Sequence, residues 1–265
     1  MRRSTIVLAT VATLLLTVHP STGAETHGFS LAVLLDGVPR PEYAGRGQLY
    51  VEAVRGREYA LRITNPLPVR VAVALAVDGL NTIDAVHGDA ASASKWVVGP
   101  YETVEISGWQ VNGHEARRFY FTGERRSYGA WLGHTADLGV IEAVFYRERC
   151  RPQPWAATLG APSPSAREEG APADAAGAPG MAGAAKAAPR LSDEYAATGI
   201  GERTRHDVQR VHLDLEPTPA AVVRIRYEFR DQLARLGLLP PAPCPPLDRR
   251  ERAHGFTGGY CPDPR

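Results

Sequence analysis

The sequence has little that would place it among nucleic-acid-binding or membrane-embedded proteins. Of its 265 residues, 30 are Lys or Arg and 29 are Asp or Glu, so the formal net charge of +1 offers no general attraction to nucleic acid. Only one apolar run approaches the length of a membrane span, and it lies at the extreme N-terminus, which argues against a polytopic membrane protein. The two methionines are Met1 and Met181, so we expect no copper site with a methionine ligand on the folded part.

The common catalytic signatures are also missing. The sequence contains no GxSxG elbow, no GxxxxGK[ST] phosphate loop and no HExxH zinc motif. His114 and Glu115 stand next to each other, but the second histidine of a zinc protease does not follow them. The sequence therefore predicts no catalytic residues, no metal site and no cofactor.

The N-terminus has the three parts of a secretory signal peptide. Two arginines precede a short apolar run over residues 6–18, and small residues follow as far as Ala24. We predict that residues 1–24 are removed after Ala24, that Glu25 begins the mature chain, and that the protein is secreted or periplasmic. The alternative is an uncleaved N-terminal anchor.

The three cysteines are Cys150, Cys244 and Cys261. In an oxidising compartment two of them are expected to form a disulfide. The closeness of Cys244 and Cys261 in the sequence favours that pair, which would close the C-terminal tail on itself. The alternative pairs Cys150 with one of the other two and ties the tail to the main domain.

Composition divides the chain into ordered and irregular parts. Ala, Pro and Gly make up 26 of the 40 residues of 151–190, which is typical of a disordered linker or insertion. The tail 240–265 contains seven prolines and is expected to be irregular. We interpret the remaining parts, 25–150 and 195–239, as one domain.

The ordered parts have the alternating pattern of β-strands. Tyr59, Leu61 and Ile63 alternate with polar residues, whereas 69–77 is apolar on both faces and is expected to form a central, covered strand. Asp-Gly pairs such as Asp78-Gly79 mark tight turns between such runs. Many short strands at this spacing predict an all-β fold, an antiparallel β-sandwich of jelly-roll-like or related topology.

A hairpin is predicted near the C-terminus. Residues 211–215 and 223–229 both alternate apolar and polar side chains, and Pro217 and Pro219 lie between them. Because an isolated hairpin is marginally stable in water, we expect this one to pack on the same sheet as the first block.

The segment 78–139 concentrates side chains suited to binding. It holds three of the four tryptophans, and aromatic rings near carboxylates and amides could stack on a sugar while the polar groups bind its hydroxyls. Core packing is the competing interpretation of the aromatic residues. The candidate saccharide-binding residues are Trp96, Trp109, Trp131, Tyr128, Asp78, Asn81 and Asp84.

A second set of residues suits a metalloprotein or hydrolase. It comprises His87, His134, Asp84 and Glu142, and at least three of these side chains would have to meet in one cleft. Glu142 lies in an otherwise apolar strand, where a carboxylate is costly unless it is paired with an arginine such as Arg147 or faces solvent.

Several short motifs resemble an uncharacterised β-rich domain of bacterial exported proteins and some phage-associated proteins. The resemblance covers roughly residues 45–148, and it implies a β-sandwich with no established enzyme activity. The motifs that carry it are VDGLNTID (77–84), GPY (99–101), ISGW (106–109), FYF (119–121), SYGA (127–130) and LGVI (138–141), with Phe145.

The absence of catalytic motifs beside abundant strand signals favours a non-catalytic exported protein that binds a partner or belongs to an envelope structure. A carbohydrate-binding module is the alternative, and a periplasmic hydrolase or metalloprotein is a third interpretation. The expected partner is a protein or a glycan, and no transmembrane segment is expected after removal of the signal peptide.

Overall fold

A computed structural model describes residues 24–149, 191–240 and 251–252. Within these ranges, no helix is long and apolar enough to cross a membrane. The predicted signal peptide lies outside the described residues except for Ala24, and so do the predicted linker, Cys150, Cys244 and Cys261. The predictions about them stay predictions.

The described chain is built mostly of short strands. In order they are β1 (Ala24–Thr26), β2 (Phe29–Leu35), β3 (Val38–Pro39), β4 (Glu42–Gly45), β5 (Gln48–Ala53), β6 (Glu58–Thr64), β7 (Val71–Val77), β8 (Leu80–Asn81), β9 (Trp96–Val98), β10 (Thr103–Ile106), β11 (Gly108–Gln110), β12 (Glu115–Gly123), β13 (Val140–Arg147), β14 (Ala196–Arg205) and β15 (Ala221–Phe229). A 3-10 turn at Glu124–Arg126 and helix α1 (Tyr128–Leu132) follow β12, and helix α2 (Arg230–Arg235) follows β15.

The strands form two sheets. In the first, β1, β2, β6, β12 and β14 are consecutive neighbours, and β3 pairs with β2. Strands β6 and β12 pair with each other only at Phe119 and Tyr120. Beyond that point β10 pairs with β6, and β11 pairs with β12. The second sheet has the order β4, β5, β15, β13, β7, with β8 and β9 both on β7. All pairs are antiparallel except β15 with β5. The predicted all-β sandwich is confirmed.

The core lies between the two sheets. Side chains that alternate along each strand point into it, and five large aromatic residues are fully buried there: Phe29, Phe119, Phe121, Phe145 and Tyr227. Strand β7 is buried on both faces, as its sequence predicts. Its outer face, at Ala74, is covered by the loop that contains Ala90 and Ala93 and by Leu215.

Four two-residue turns connect neighbouring strands. In each turn both residues have positive φ, the geometry of a type I′ turn, whose twist matches that of the strands it joins. The sequence marks two of them by Asp-Gly, whereas the other two begin with His27 and Arg46, which are weaker turn signals. The turns are His27-Gly28, Asp36-Gly37, Arg46-Gly47 and Asp78-Gly79.

The predicted C-terminal hairpin is wrong in its first strand, whereas the predicted strand 223–229 is part of β15 and packs, as expected, with strands of the first block. Residues 211–215 form no strand, apart from an isolated bridge between Leu215 and Glu148. Strand β15 instead joins the second sheet between β13 and β5, and the preceding strand is β14, in the first sheet. Sequence reasoning missed β14 because it begins with small residues. One of them, Gly199, packs closely under Tyr120, since a Cβ at this position would lie 2.3 Å from the Tyr120 ring.

Candidate functional site

The three tryptophans of the candidate set lie in three different environments. Trp109 is buried, with its ring edge-on to Phe119 at 5.1 Å and its indole nitrogen donating to the Gly199 carbonyl at 3.2 Å. Trp96 is half-buried in the wall of a groove, and Trp131 is 78% exposed. Core packing therefore accounts for one of the three, and two remain available to a ligand.

The groove beside Trp96 has a volume of about 990 Å³. It lies where β9 of the second sheet faces β10 and β11 of the first, and the segment 206–211 lines it as well. We call it the Trp96 groove. Its apolar lining includes Trp96, Val104 and Ile106.

Trp96 is held in a fixed position. Its backbone pairs with Val73 of β7, and its indole nitrogen donates a 2.9 Å hydrogen bond to the Thr82 hydroxyl. Thr82 is itself buried, and its hydroxyl donates to the Leu75 carbonyl at 3.2 Å. The indole orientation is thus set by the protein before any ligand arrives.

His206 and Gln110 form a second fixed unit in the groove. The Gln110 amide nitrogen donates to the carbonyls of Asn112 and His206, at 2.6 and 3.0 Å. The amide oxygen therefore faces the His206 Nδ1, 2.7 Å away, and must accept its proton. This leaves Nε2 as the acceptor of a neutral imidazole, and the ring lies 5.6 Å from the Trp96 ring.

Asp84 lies on the loop opposite. Its carboxylate accepts hydrogen bonds from the Ser94 hydroxyl at 2.6 Å and the Val86 amide at 3.1 Å. Asn81 holds the same loop, because its buried side chain accepts from the Ile83 amide and donates to the Ser94 carbonyl, both at 2.8 Å. Asp84 therefore lines the groove, whereas Asn81 lies outside the groove lining and stabilises the loop that carries Asp84.

Lys95 and Glu105 also line the groove, but both are engaged with neighbours. The Lys95 ammonium donates to the carbonyls of Ala91 and Ala93, and burial lowers its pKa. The Glu105 carboxylate pairs with Arg62 at 2.8 Å.

Asp78 lies in the core rather than in a groove. Its carboxylate accepts the amides of Gly139 and Thr198, at 2.8 and 2.7 Å, and the hydroxyl of Tyr227. The Thr198 hydroxyl bonds to both Tyr227 and Tyr59 at 2.7 Å, so a buried chain of polar groups joins the two sheets. Burial raises the pKa of Asp78 to about 6, although these hydrogen bonds oppose the rise. We assign this residue a structural role.

Trp131 and Tyr128 form an aromatic platform on helix α1. Their rings stack at 5.7 Å with an angle of 14°, and Tyr128 in turn contacts Trp109 at 5.0 Å. Ser127 caps the helix by accepting the Ala130 amide at 3.0 Å. The platform is rigidly backed by the core, and its outer ring is open to solvent.

The residues suited to a metal or hydrolase site lie in two separate places. His87 and Glu142 line a cavity of about 490 Å³ over the second sheet, whereas Asp84 lies in the Trp96 groove. His87 stacks on His134 at 5.5 Å and contacts Asp137 at 3.0 Å. In the described part of the chain, no three His, Cys, Asp or Glu side chains are placed to hold one metal ion.

Glu142 has the ion-pair partner that its apolar strand requires, but the partner is Arg224 at 2.9 Å rather than Arg147. Arg224 lies on β15, directly across from Glu142 in the sheet. The pairing accounts for the carboxylate without a catalytic role.

Sequence reasoning identified Trp96 and Asp84 but missed Gln110 and His206. These last two are 96 residues apart in the chain, and no local pattern links them. The position of Gln110 directly after Trp109 was the one available signal.

No protein-family model, no curated protein and no solved structure matches this chain. The resemblance to exported and phage-associated domains therefore stays a prediction.

Proposed function

We propose that this protein is an exported, non-catalytic binding module and that the Trp96 groove binds a saccharide chain. The observation that carries the proposal is a fixed, half-exposed indole in a groove whose other lining groups include a carboxylate, an amide and an imidazole. Sugar rings present C–H faces that stack on aromatic rings, and hydroxyls that both donate and accept hydrogen bonds.

The fixed geometry of the groove supports binding. Thr82 orients Trp96, Gln110 orients His206, and Asn81 holds the loop of Asp84. Because these side chains are already ordered, binding carries the entropy cost of ordering the ligand but not that of ordering the protein. This favours ligands that interact weakly, such as saccharides.

The groove carboxylates give no reason to assign hydrolysis. Asp84 accepts hydrogen bonds from its own loop, and Glu105 is paired with Arg62. Glycoside hydrolysis uses two carboxyl groups flanking the scissile bond, one of them free to donate a proton. We therefore propose retention of the saccharide without cleavage.

A protein partner is the second candidate. Val111 and Val211, both at the groove, are each 56% exposed, and the Trp131 platform is open to solvent. Exposed aliphatic and aromatic side chains of this kind occur at protein interfaces. A partner-binding or envelope role would use these side chains instead of the polar groups of the groove.

The test is binding of the exported full chain to an array of bacterial and host polysaccharides, followed by titration calorimetry with the best ligand. Replacing Trp96 by Ala removes a stacking face, for which ~0.5–1.5 kcal/mol or a roughly two- to tenfold loss of affinity is expected. Trp131→Ala is the matched control, because it removes an exposed indole outside the groove, and its affinity should equal that of the unchanged protein. A saccharide retained equally well by Trp96→Ala, or no retained saccharide at all, would refute the proposal. In the second case, capture of a protein partner that Trp131→Ala or Val211→Asp abolishes would favour the second candidate.

A further inference from the structure

The first described residue makes an unusual contact. The backbone nitrogen of Ala24 donates a 2.8 Å hydrogen bond to Oε1 of Glu42. Ala24 is 1% exposed and Glu42 is 2% exposed. Among the described residues, the second carboxylate oxygen of Glu42 is buried and has no hydrogen-bond partner.

A single neutral N–H is poor compensation for a buried carboxylate. Moving a charged group out of water costs several kcal/mol unless opposite charge or several hydrogen bonds replace the hydration. Burial accordingly raises the pKa of Glu42 to about 7 when only the Ala24 amide opposes it. The unpartnered oxygen indicates that a further donor or a positive charge belongs at this position.

Ala24 belongs to the folded domain. It pairs with Leu31 in the register of β1 and β2, and its methyl group is part of the main core. Glu42 begins β4, at the edge of the other sheet. Two residues further on, the Thr26 hydroxyl reaches the Val222 carbonyl on β15. The contact between Ala24 and Glu42 therefore connects the two sheets at the first described residue.

The sequence also allows signal-peptide cleavage one residue before the predicted site, after Gly23 instead of after Ala24. Cleavage after Ala24 would remove a core side chain and the donor to Glu42. The preceding bond, Gly23–Ala24, has small residues one and three positions before it, Gly23 and Ser21, which also suits a signal peptidase.

We infer that the mature chain begins at Ala24 and that its α-ammonium group forms a buried ion pair with Glu42. In the processing step, water adds hydroxide to the Gly23 carbonyl carbon as the C–N bond breaks. The Ala24 nitrogen keeps the bonding electrons and takes one proton from that water and one from the new Gly23 carboxyl group, which leaves a carboxylate and an ammonium. That group has three N–H donors where the amide has one, so it can serve both oxygens of the carboxylate. Cleavage of the signal peptide would thus strengthen the contact between β1 of the first sheet and β4 of the second.

The first experiment identifies the mature N-terminus. The full chain, with its own leader, is exported from a bacterial host, and the product is analysed by intact mass and N-terminal sequencing. The expected product begins Ala24-Glu25-Thr26. A product that begins at Glu25, or that retains the leader, would overturn the inference.

The second experiment tests the ion pair. Acylating reagents attack the free α-amine, whose ordinary pKa is about 8, and a buried carboxylate that raises this value by one unit slows labelling about tenfold near neutral pH. The α-amine is readily distinguished by peptide mapping because the chain has only two lysines, Lys95 and Lys186. We expect at least tenfold slower labelling in the folded protein than in denaturant.

Glu42→Gln removes the charge and should restore fast labelling. Glu25→Gln is the matched control, because Glu25 is the exposed neighbour on the same strand, and it should label as slowly as the unchanged protein. Equal labelling of the folded and denatured wild-type protein would overturn the ion pair. Slower labelling of the wild-type protein than of Glu42→Gln supports the ion pair, because the burial of Ala24 slows labelling in both.

Discussion

The hydroxyl of Tyr227 is expected to stabilise the fold mainly through the ionised form of Asp78. It donates to this buried carboxylate, and it also bonds to Thr198, which lies next to Tyr59. Hydrogen bonds to charged groups contribute ~1.5–3 kcal/mol, and those between neutral groups ~0.5–1.5 kcal/mol. At neutral pH we therefore expect Tyr227→Phe to lower the free energy of unfolding by ~2 kcal/mol and Tyr59→Phe by ~1 kcal/mol.

The pH dependence separates the two variants. Burial raises the pKa of Asp78 from 3.8 to about 6, so the wild-type protein loses up to ~3 kcal/mol of stability as the pH rises from 4 to above 6. Without the Tyr227 hydroxyl the pKa rises further, so Tyr227→Phe loses still more over the same range. The Tyr59 hydroxyl bonds to Thr198 rather than to the carboxylate, so Tyr59→Phe should follow the wild-type profile.

Denaturant unfolding of the three proteins at about pH 5 and about pH 7.5, on either side of the Asp78 pKa, provides the measurement. The destabilisation by Tyr227→Phe should be larger at the higher pH. If the effect of Tyr227→Phe were the same at both pH values, or smaller than that of Tyr59→Phe at the higher one, the assignment of Asp78 as the charged centre of this chain would be refuted.

Two further perturbations test the packing within the two sheets. A Cβ on Gly108 would lie 2.1 Å from the Arg117 carbonyl oxygen, a backbone atom that no side-chain rotation can move. Gly108→Ala should therefore cost ~2–3 kcal/mol in denaturant unfolding and weaken saccharide binding, whereas Gly113→Ala, with open space around it, should change stability by less than ~0.5 kcal/mol. Equal effects of the two would contradict this packing. Burial raises the pKa of Glu228 from 4.5 to about 7, so this residue costs stability as the pH rises through that range. Glu228→Gln should flatten the decline of the melting temperature above pH 5, and a steeper decline would argue against a buried carboxylate at this position.

The candidate site was only partly predictable. Trp96 and Asp84 are residue types that bind saccharides, and they were identified from type and neighbourhood alone. His206 lies in the same groove because β14 pairs with β12, which places the segment after β14 beside β11. This proximity depends on strand pairing and not on any local sequence pattern. Trp109 has the same residue type as Trp96 but is buried, because its ring packs against Phe119 and Tyr128 in the core.

The sequence by itself determined the class of fold and much of its local structure. Alternation at Tyr59–Ile63, two-sided apolarity at β7 and Asp-Gly at two turns are short-range signals, and each depends on a few neighbouring residues. Which sheet each strand joins was decided only by tertiary structure. Strand β14 begins with small residues that carry almost no strand signal, and it is positioned by the aromatic rings of β12 and β11 that pack over it. Tertiary structure also decided three contacts of charged residues. They are the burial of Asp78, the pairing of Glu142 with Arg224 and the contact of Ala24 with Glu42. Each joins residues far apart in the chain, and the free energy of burying a charge depends on what the rest of the fold places around it.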